Sequence, residues 1–494
     1  MRAARAVAGA VLAASMLAGC GGPDGAAAAD PATAGAGKGG EGGGKDGKAA
    51  PRASAAAKPA PKLNVPPAYD GSQGWDHSLP WVPGSVDTIP VAAVPGANAV
   101  ALLNVGADGA VGYTVQLRAA DSGQVRWTSA PWKLPTPVDG ASGAVATHEG
   151  AEIPGVTSVE QNGHSYVVAH AHGKTGEDAL HEGAEVVRLS VYRPEESGSA
   201  VKPVREIDVP VHAKPGEYVV RADGGKLLVA YGGRGRYPTW SAAVDVETGT
   251  VTPYEMPADL LSQCAERQAA MPVPCRNARV MAAGADGPLV AADGGFGVPG
   301  RWFSEAHKPE GVAAKGPLGG WNGKVYGVAG GRVLATWQME WKAGVVPVWS
   351  VHDQRTGALT ARMECDVTES HTDSSLRDYP VVSSPSGRFL AAGPIAFDLE
   401  RKQGICLWRD GNRKTIAVSS IRDDGTAYGE VEDSDTAGSR PAIAQLNLTT
   451  ATGEAKALDP GVEVPQHTAV GGSGMFVFRD ENKDVRLSLR RARP

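Results

Sequence analysis

The segment 378–408, DYPVVSSPSGRFLAAGPIAFDLERKQGICLW, contains four short runs that are typical of antiparallel β-strands. The runs PVVSS, RFLAA, IAFDL and ICLW are rich in β-branched or aromatic residues and are bounded by glycine, proline or aspartate. Tight turns are expected at Pro385-Ser386-Gly387 and at Gly404. The segment therefore predicts a four-stranded antiparallel sheet in which consecutive strands pair.

Variants of this unit recur at a spacing of roughly fifty residues, which is typical of the blades of a β-propeller. A last set, HTAVGGSG, MFVFRD and VRLSLRR, has three strands and no fourth. We expect the segment 63–84 to supply the missing strand and to close the ring, so that no sheet edge is left free. The predicted fold is all-β, a propeller of four-stranded antiparallel blades. Eight blades are expected; seven is the alternative, because the set near 276–316 is degenerate.

The turns between the third and fourth strands resemble those of known propellers. DVETG at 245–249 and DQRTG at 353–357 share D-x-x-T-G, while Trp127 and Trp408 each follow a glycine by four residues. This pattern resembles the repeat of quinoprotein-like (PQQ-type) propellers, and SPSGR at 384–388 resembles a turn of WD40- and TolB-like propellers. Physically, aspartate or threonine caps the turn, glycine supplies a positive φ, and tryptophan packs between blades. Catalytic quinoproteins use adjacent cysteines and calcium carboxylates. This chain has no Cys-Cys pair, so PQQ is not expected as a cofactor.

The N-terminal segment predicts the cellular location of the protein. Residues 1–20 have a short basic start, an apolar run from Ala6 to Met16, and then Leu-Ala-Gly-Cys ending at Cys20. The run is too short to span a bilayer and is typical of a secretory signal peptide. Its last four residues resemble the lipobox of bacterial lipoproteins, which implies cleavage before Cys20 and lipidation of the Cys20 thiol. An ordinary secretory signal is the alternative.

Residues 21–62 consist mostly of glycine, alanine, proline and lysine, and are predicted to be a disordered tether. The β-propeller domain would then occupy 63–494, held by its lipid anchor on the extracytoplasmic side of the cell membrane. The formal net charge is −6. A nucleic-acid partner is not expected, because such a partner requires clustered positive charge.

Four cysteines remain besides Cys20, and in an exported protein four cysteines indicate two disulfides. Cys264 and Cys275 flank an excursion after the third strand set, and we expect them to pair with each other. Cys365 ends the last strand of the fifth set, and Cys406 lies in the last strand of the sixth. These two cysteines are predicted to pair across neighbouring blades.

The pentapeptide His-Glu-Gly-Ala-Glu occurs twice, at 148–152 and 181–185, and a His-Ala-His sequence lies between the copies. Residues two apart on a strand share a face, and imidazoles with carboxylates suit zinc or a similar divalent ion. The candidate metal ligands are His148, Glu149, His170, His172, His181 and Glu182. Two solvated acidic loops beside an ordinary strand end are the alternative, and no cofactor is then expected.

The loop 232–237, GGRGRY, carries Arg234 and Arg236 on glycine-rich backbone. Two guanidinium groups there could clamp a carboxylate or phosphate, and a solvated turn is the alternative. The sequence lacks a GxSxG elbow, an HExxH helix, a phosphate loop and an EF-hand loop. We therefore predict a membrane-anchored module that binds a protein or an envelope component. A metal-assisted hydrolase or lyase that uses the His/Glu loops is the alternative function.

Overall fold

The chain divides into two units, Met1–Ala57 and Lys58–Pro494, and all described residues belong to the second. The computed structural model describes the following residues: 62–84, 86, 89–105, 112–138, 153–213, 218–232, 240–254, 260–261, 277–292, 294–313, 322–337, 346–367, 379–411, 413–432 and 441–493. No described helix is long and apolar enough to cross a membrane.

The described residues form β-strands and two short 3₁₀ helices, at Pro95–Ala97 and Ser304–His307. Strands β1 to β11 are, in order, Tyr69–Leu79, Val91–Val94, Ala99–Val105, Tyr113–Ala119, Val125–Ser129, Gly155–Gln161, His164–Glu177, Glu182–Tyr192, Gly198–Val201, Arg205–Pro210 and Tyr218–Arg221. Strands β12 to β22 are Leu227–Tyr231, Trp240–Val244, Val251–Tyr254, Arg279–Gly284, Gly287–Ala292, Gly295–Val298, Trp302–Phe303, Lys324–Ala329, Arg332–Trp337, Val348–Asp353 and Leu359–Glu364. Strands β23 to β33 are Val382–Ser383, Phe389–Ala392, Ile395–Asp398, Gln403–Cys406, Ile416–Ile421, Thr426–Val431, Ala442–Asn447, Glu454–Ala457, His467–Val470, Ser473–Arg479 and Val485–Ala492.

Successive strands pair into four-stranded antiparallel sheets, so the prediction of an all-β, propeller-like fold is confirmed. We call the sheets A (β1, β33, β32, β31), B (β2 to β5), C (β6, β7, β8, β10), D (β11 to β14), E (β15 to β18), F (β19 to β22), G (β23 to β26) and H (β27 to β30). Sheet G lies within the segment 378–408, for which the sequence predicts four strands. Strand β9, which lies between β8 and β10 in the chain, adds to the outer edge of sheet B by parallel pairing with β5.

The turns between third and fourth strands have the geometry that their sequence predicts. In sheet F the Asp353 carboxylate accepts hydrogen bonds from the amides of Arg355 (3.2 Å) and Thr356 (3.0 Å). Gly357 has a φ of +74°, in the left-handed region that glycine adopts at little cost. In sheet D, Asp245 caps the equivalent turn through the amide of Thr248 at 2.9 Å. These motif residues therefore shape the turn.

The outer edges of sheets F and G are joined directly. Strand β22 pairs with β26 in parallel at Arg362 and Gln403, so the two sheets form one eight-stranded sheet. Cys365 and Cys406, at the same edges, form a disulfide. The predicted pairing of these two cysteines is confirmed.

The apolar core is divided among the spaces between sheets. Each sheet shares a cluster of buried side chains with the next in the order A to H, and sheet H shares one with sheet A. Between sheets B and C, Trp127 stacks on Tyr192 with ring centroids 5.5 Å apart. Between sheets H and A, the cluster contains Tyr69, Tyr428 and Phe476. Burying a large apolar side chain contributes about 1.5–3 kcal/mol, so the side chains buried between neighbouring sheets hold those sheets together.

The terminal strands complete one sheet. Strand β1 pairs antiparallel with β33, from Tyr69 opposite Ala492 to Leu79 opposite Val485. The strand missing from the last set of the sequence is therefore β1. First strands of neighbouring sheets also lie beside each other: β2 contacts β6 and β31, and β27 contacts β23 and β31.

Sheet E is the set that the sequence predicts poorly. Its third strand, β17, has four residues, and its fourth, β18, has two. A Cβ on Gly297 would lie 2.3 Å from the carbonyl oxygen of Trp302, so the glycine is required for the two strands to approach. Strands this short, one of them glycine-rich, show no readable alternation of apolar and polar residues.

Candidate functional site

The second and third strands of sheet C extend well beyond their neighbours. Strand β6 pairs with β7 up to the residue pair Gly155–His170 and not beyond it. On the other side, β10 pairs with β8 up to Pro210–Val186. Beyond these pairs β7 and β8 continue together to Glu177 opposite Glu182. At about 3.4 Å per residue, the seven residues after His170 extend about 24 Å. We call residues 171–185 the projecting hairpin.

The base of the hairpin carries a cluster of His170, His172, Glu185 and Tyr218, which we call the base cluster. His172 Nε2 lies 2.7 Å from Glu185 Oε1, and the same oxygen accepts the Ala213 amide at 2.9 Å. The Tyr218 ring of sheet D lies 5.9 Å from the His170 ring and 5.6 Å from the His172 ring. The cluster therefore joins the hairpin base to sheet D.

Burial fixes the state of one of these imidazoles. Desolvation lowers the pKa of His170 to about 4, so the ring is neutral at pH 7. Its Nδ1 lies 3.4 Å from the hydroxyl of Tyr218. The side chain of His172 is only 1% exposed, and its contact with Glu185 fixes the orientation of its ring. The geometry is suited to holding the hairpin in place more than to reaching a substrate.

The tip of the hairpin is an ordered turn that presents a leucine. Asp178 Oδ1 accepts the amides of Leu180 (2.8 Å) and His181 (2.9 Å) and lies 2.8 Å from His181 Nδ1. The amide of Leu180 and the His181 imidazole lower the pKa of Asp178, which is therefore ionised at neutral pH. Leu180 is 89% exposed, the highest value among the exposed large apolar side chains of the described residues.

Acidic residues flank this leucine in the tip. Glu177 and Glu182 face each other across the last pair of the hairpin, and Asp178 lies in the turn itself. The hairpin therefore presents an apolar side chain next to acidic residues at its far end, beyond the backbone bridge between Thr136 and Lys174.

Four of the predicted metal ligands lie in the hairpin or in the strand directly before it, but they are at opposite ends. His170 and His172 are in the base, whereas His181 and Glu182 are at the tip. His172 and Glu177 are five residues apart on β7, a distance of about 17 Å. Among the described residues, no group of three or more His, Cys, Asp or Glu side chains is placed to hold a metal ion.

The second His-Glu-Gly-Ala-Glu copy is predicted to lie in a loop, but most of it forms a strand. Four of its five residues, Glu182 to Glu185, form the start of β8. The polar sequence GKTGE that pairs with them has no apolar alternation, so the sequence alone ends β7 too early. The bridge between Thr136 and Lys174 adds support from the segment before sheet C.

The remaining predicted sites lie outside the described residues. These are Cys20, His148, Glu149, Arg234, Arg236, Cys264 and Cys275.

Sequence reasoning missed Leu180, Glu185 and Tyr218 as site residues. Leu180 had a signal, since it is the one large apolar residue in the acidic stretch 177–182 and follows an aspartate that can form an Asx turn. Tyr218 had none, because its contact with β7 depends on how sheets C and D pack.

No protein-family model and no curated protein matches the sequence. Solved structures give remote likenesses. Dipeptidyl peptidase 4 of Porphyromonas gingivalis is similar at 9% identity and a TM-score of 0.36 over 82% of this chain. This chain spans 58% of that peptidase. The polysaccharide lyase Uly1 gives 10% identity and a TM-score of 0.34, covering 80% of this chain and 88% of the lyase. The GH93 alpha-L-arabinofuranosidase of Fusarium graminearum is similar at 8% identity and a TM-score of 0.26, and the match covers 87% of this chain and 96% of that enzyme.

Proposed function

We propose that this protein is a membrane-anchored, extracytoplasmic binding module that holds a protein partner through the tip of the projecting hairpin. The observation that carries the proposal is Leu180, which is 89% exposed at the end of an ordered turn. The ordered turn presents this apolar side chain to solvent, so a partner that covers it gains free energy by removing it from water.

The chemistry of the tip specifies the partner. Removing a leucine side chain from water contributes about 1.5–3 kcal/mol, enough for a central contact of a small interface. Glu177, Asp178 and Glu182 flank Leu180 at the tip, so the matching surface is an apolar pocket with lysine or arginine at its rim. The partner we propose is a protein of the cell envelope that carries such a pocket.

The base cluster supports this role by limiting motion of the hairpin. A hairpin held by the His172–Glu185 contact and by the packing of Tyr218 loses little conformational entropy when its tip binds. The same carboxylate also accepts the Ala213 amide, which links the hairpin to the chain after β10.

The architecture we propose is an eight-bladed propeller whose ring is closed in sheet A by the N- and C-terminal strands. Support comes from the pairing of β1 with β33 and from the apolar clusters that join each sheet to the next, including sheet H to sheet A. The membrane attachment we propose is lipidation of Cys20, on the basis of the Leu-Ala-Gly-Cys sequence, with residues 21–62 as the tether.

The experiment is site-specific photocrosslinking in cell membranes. A photoreactive amino acid at position 180 should give one dominant adduct, and the same residue at position 359 should not. Leu359 is a matched control because it is also an exposed leucine, 39% accessible, but lies on β22 of sheet F.

The adduct should disappear when Glu177→Lys and Glu182→Lys are combined, because the rim charges would then repel a basic partner. The melting temperature of the purified variant should stay unchanged. An adduct pattern at position 180 identical to that at 359, or one insensitive to the charge reversal, would contradict the proposal.

A further inference from the structure

A second feature lies at the opposite end of strand β7, between sheets C and D. A cavity of about 460 Å³ is lined there by Tyr166, Arg193, Glu195, Val204, Arg205 and Glu247, among others. This volume falls in the range of roughly 300–1,000 Å³ that is typical of small-molecule sites. Tyr166 and the hairpin tip are separated by most of the length of β7, so this cavity is distinct from the projecting hairpin.

The carboxylate of Glu247 in this cavity is already engaged. Its Oε1 accepts the hydroxyl of Tyr166 at 3.0 Å, and its Oε2 accepts the side-chain amide of Asn162 at 2.7 Å. Arg205 reaches the same residue only through Nε, which donates to the backbone oxygen of Glu247 at 2.6 Å. The carboxylate of Glu247 is thus not paired with the guanidinium of Arg205.

Two guanidinium groups line the cavity without a carboxylate partner. Within the part of the chain that the structure describes, neither Arg193 nor Arg205 forms an ion pair. Arg205 lies directly opposite Val191 on the neighbouring strand, and Arg193 follows Val191 by two residues, so the two arginines lie near the same end of the paired strands β8 and β10. The Nε contact of Arg205 fixes its side chain in the cavity while leaving its terminal nitrogens for another acceptor.

The walls of the cavity are partly apolar. Val204 is 39% exposed at its edge, and the ring of Tyr166 forms part of its lining. A guanidinium fork binds a carboxylate or a phosphate through paired hydrogen bonds, and apolar walls favour a ligand with a flat hydrocarbon body.

We propose that this cavity is a binding site for a small organic anion, in which Arg193 and Arg205 hold a carboxylate or phosphate group and Tyr166 and Val204 contact its apolar body. The carboxylates of Glu195 and Glu247 also line the site and oppose an anion, and that of Glu247 is hydrogen-bonded to Tyr166 and Asn162. The site goes beyond the hairpin function and does not depend on it.

The test is calorimetric titration of the purified full-length protein with benzoate and with phenyl phosphate, with benzylamine as a probe of the same size and opposite charge. The two anions should bind saturably, and benzylamine should not. Their relative affinities distinguish a carboxylate ligand from a phosphate ligand.

Arg193→Gln and Arg205→Gln should each weaken binding of the preferred anion by about tenfold or more, as expected for loss of a charged hydrogen bond. Glu195→Gln should strengthen binding by a few-fold, because it removes the like charge. Arg193→Gln removes no hydrogen bond of the described structure, so it tests the site without a change in folding.

The proposal fails if the anions show no saturable binding, if benzylamine binds as tightly as benzoate, or if Arg193→Gln leaves the affinity unchanged. Crosslinking from position 180 should be the same in Arg193→Gln as in the unchanged protein, which separates this proposal from the hairpin function.

Discussion

Arg490 on the last strand donates from Nη2 to both carboxylate oxygens of Asp76 on the first strand, at 2.7 and 3.0 Å. The two residues are 414 positions apart in the chain. The Arg490 side chain is 1% exposed, and its Nη1 also donates to the carbonyl oxygen of Trp75 at 3.1 Å. Ser488 adds a hydrogen bond to Asp76. The ends of the domain are therefore joined by a buried charged network as well as by backbone pairing.

Removing the carboxylate should be strongly destabilising. Asp76→Ala leaves a buried guanidinium without its counter-charge, and the free energy of unfolding should fall by about 3–5 kcal/mol. Equilibrium denaturation in urea measures this loss.

Arg486→Ala is the matched control for that prediction. Arg486 lies on β33, the strand that carries Arg490, and pairs with Asp480 at 2.7 Å, but its side chain is 38% exposed. An exposed pair contributes about 0–1 kcal/mol, so this change should be nearly silent. Equal losses in the two variants would mean that Asp76 and Arg490 do not form a buried, interdependent pair.

The disulfide gives a second prediction. Cys365 and Cys406 are 41 residues apart and join the outer edges of sheets F and G. Changing both to serine should lower the free energy of unfolding by about 2–4 kcal/mol, chiefly because the unfolded chain regains freedom. Reduction of the unchanged protein should give a similar loss. A melting curve that reducing agent does not move would contradict a structural role for this bond.

The strands and turns could be predicted from the sequence because their signals are local. The turn at 353–357 is specified by Asp353, whose carboxylate caps amides two and three residues ahead, and by Gly357 at positive φ. The pairing of Cys365 with Cys406 followed from their places at the ends of consecutive sets. Sheet E was predicted poorly, since a strand as short as Trp302–Phe303 carries no periodicity.

The candidate site depended on contacts that sequence does not encode locally. His170 and His172 share a face, as alternation predicts, but their partner Tyr218 comes from the next sheet. The length of β7 was also unpredictable, because residues after His172 are polar or glycine and are held by pairing with β8. Leu180 could be found only once the hairpin that exposes it was known.

Glycine at the sheet F turn should be less replaceable than its counterpart in sheet D. Gly357 and Gly249 have φ of +74° and +80°, so alanine at either should cost about 1–2 kcal/mol from backbone strain. A Cβ at Gly357 would also lie 2.6 Å from the Trp302 ring, whereas at Gly249 the nearest atom is 3.6 Å away. Gly357→Ala should therefore lose about 1–3 kcal/mol more than Gly249→Ala in urea denaturation. Equal losses would show that the Trp302 ring moves aside freely.

The proposed lipid anchor predicts a change of cell fraction. Cys20→Ser should release the protein from membranes or block its maturation, because the acyl chains would have no thiol to modify. Fractionation followed by immunoblotting measures the outcome, and Ser15→Ala, a change in the same N-terminal segment that leaves Cys20 intact, is the control. Unchanged membrane association and processing would contradict lipidation at Cys20.

Acid should destabilise the domain through its buried histidines. His352 is fully buried, and its Nδ1 lies 3.0 Å from the Gly357 carbonyl, so that nitrogen carries the proton. Its Nε2 then accepts from the Ser350 hydroxyl at 2.8 Å. Desolvation lowers the pKa of His352 to about 4, from an ordinary value of 6.5. Between pH 6.5 and 4 the unfolded chain therefore binds a proton that the folded protein does not.

The free energy of unfolding should consequently be highest above pH 6.5 and fall as the pH drops towards 4. The slope from His352 is at most about 1.4 kcal/mol per pH unit, and His170 adds a similar contribution in the same window. Asp245 affects stability at a lower pH. Burial raises the pKa of its carboxyl, but hydrogen bonds from Thr248 and Gln161 outweigh burial and hold that pKa at about 2. Its contribution to the free energy of unfolding is therefore lost as the pH falls from 3.8 towards 2. Urea denaturation from pH 7 to pH 4 should show a shallower slope in His352→Gln than in the unchanged protein, whatever its stability at pH 7. Parallel pH profiles for the two proteins would show that His352 is protonated alike in the folded and unfolded states.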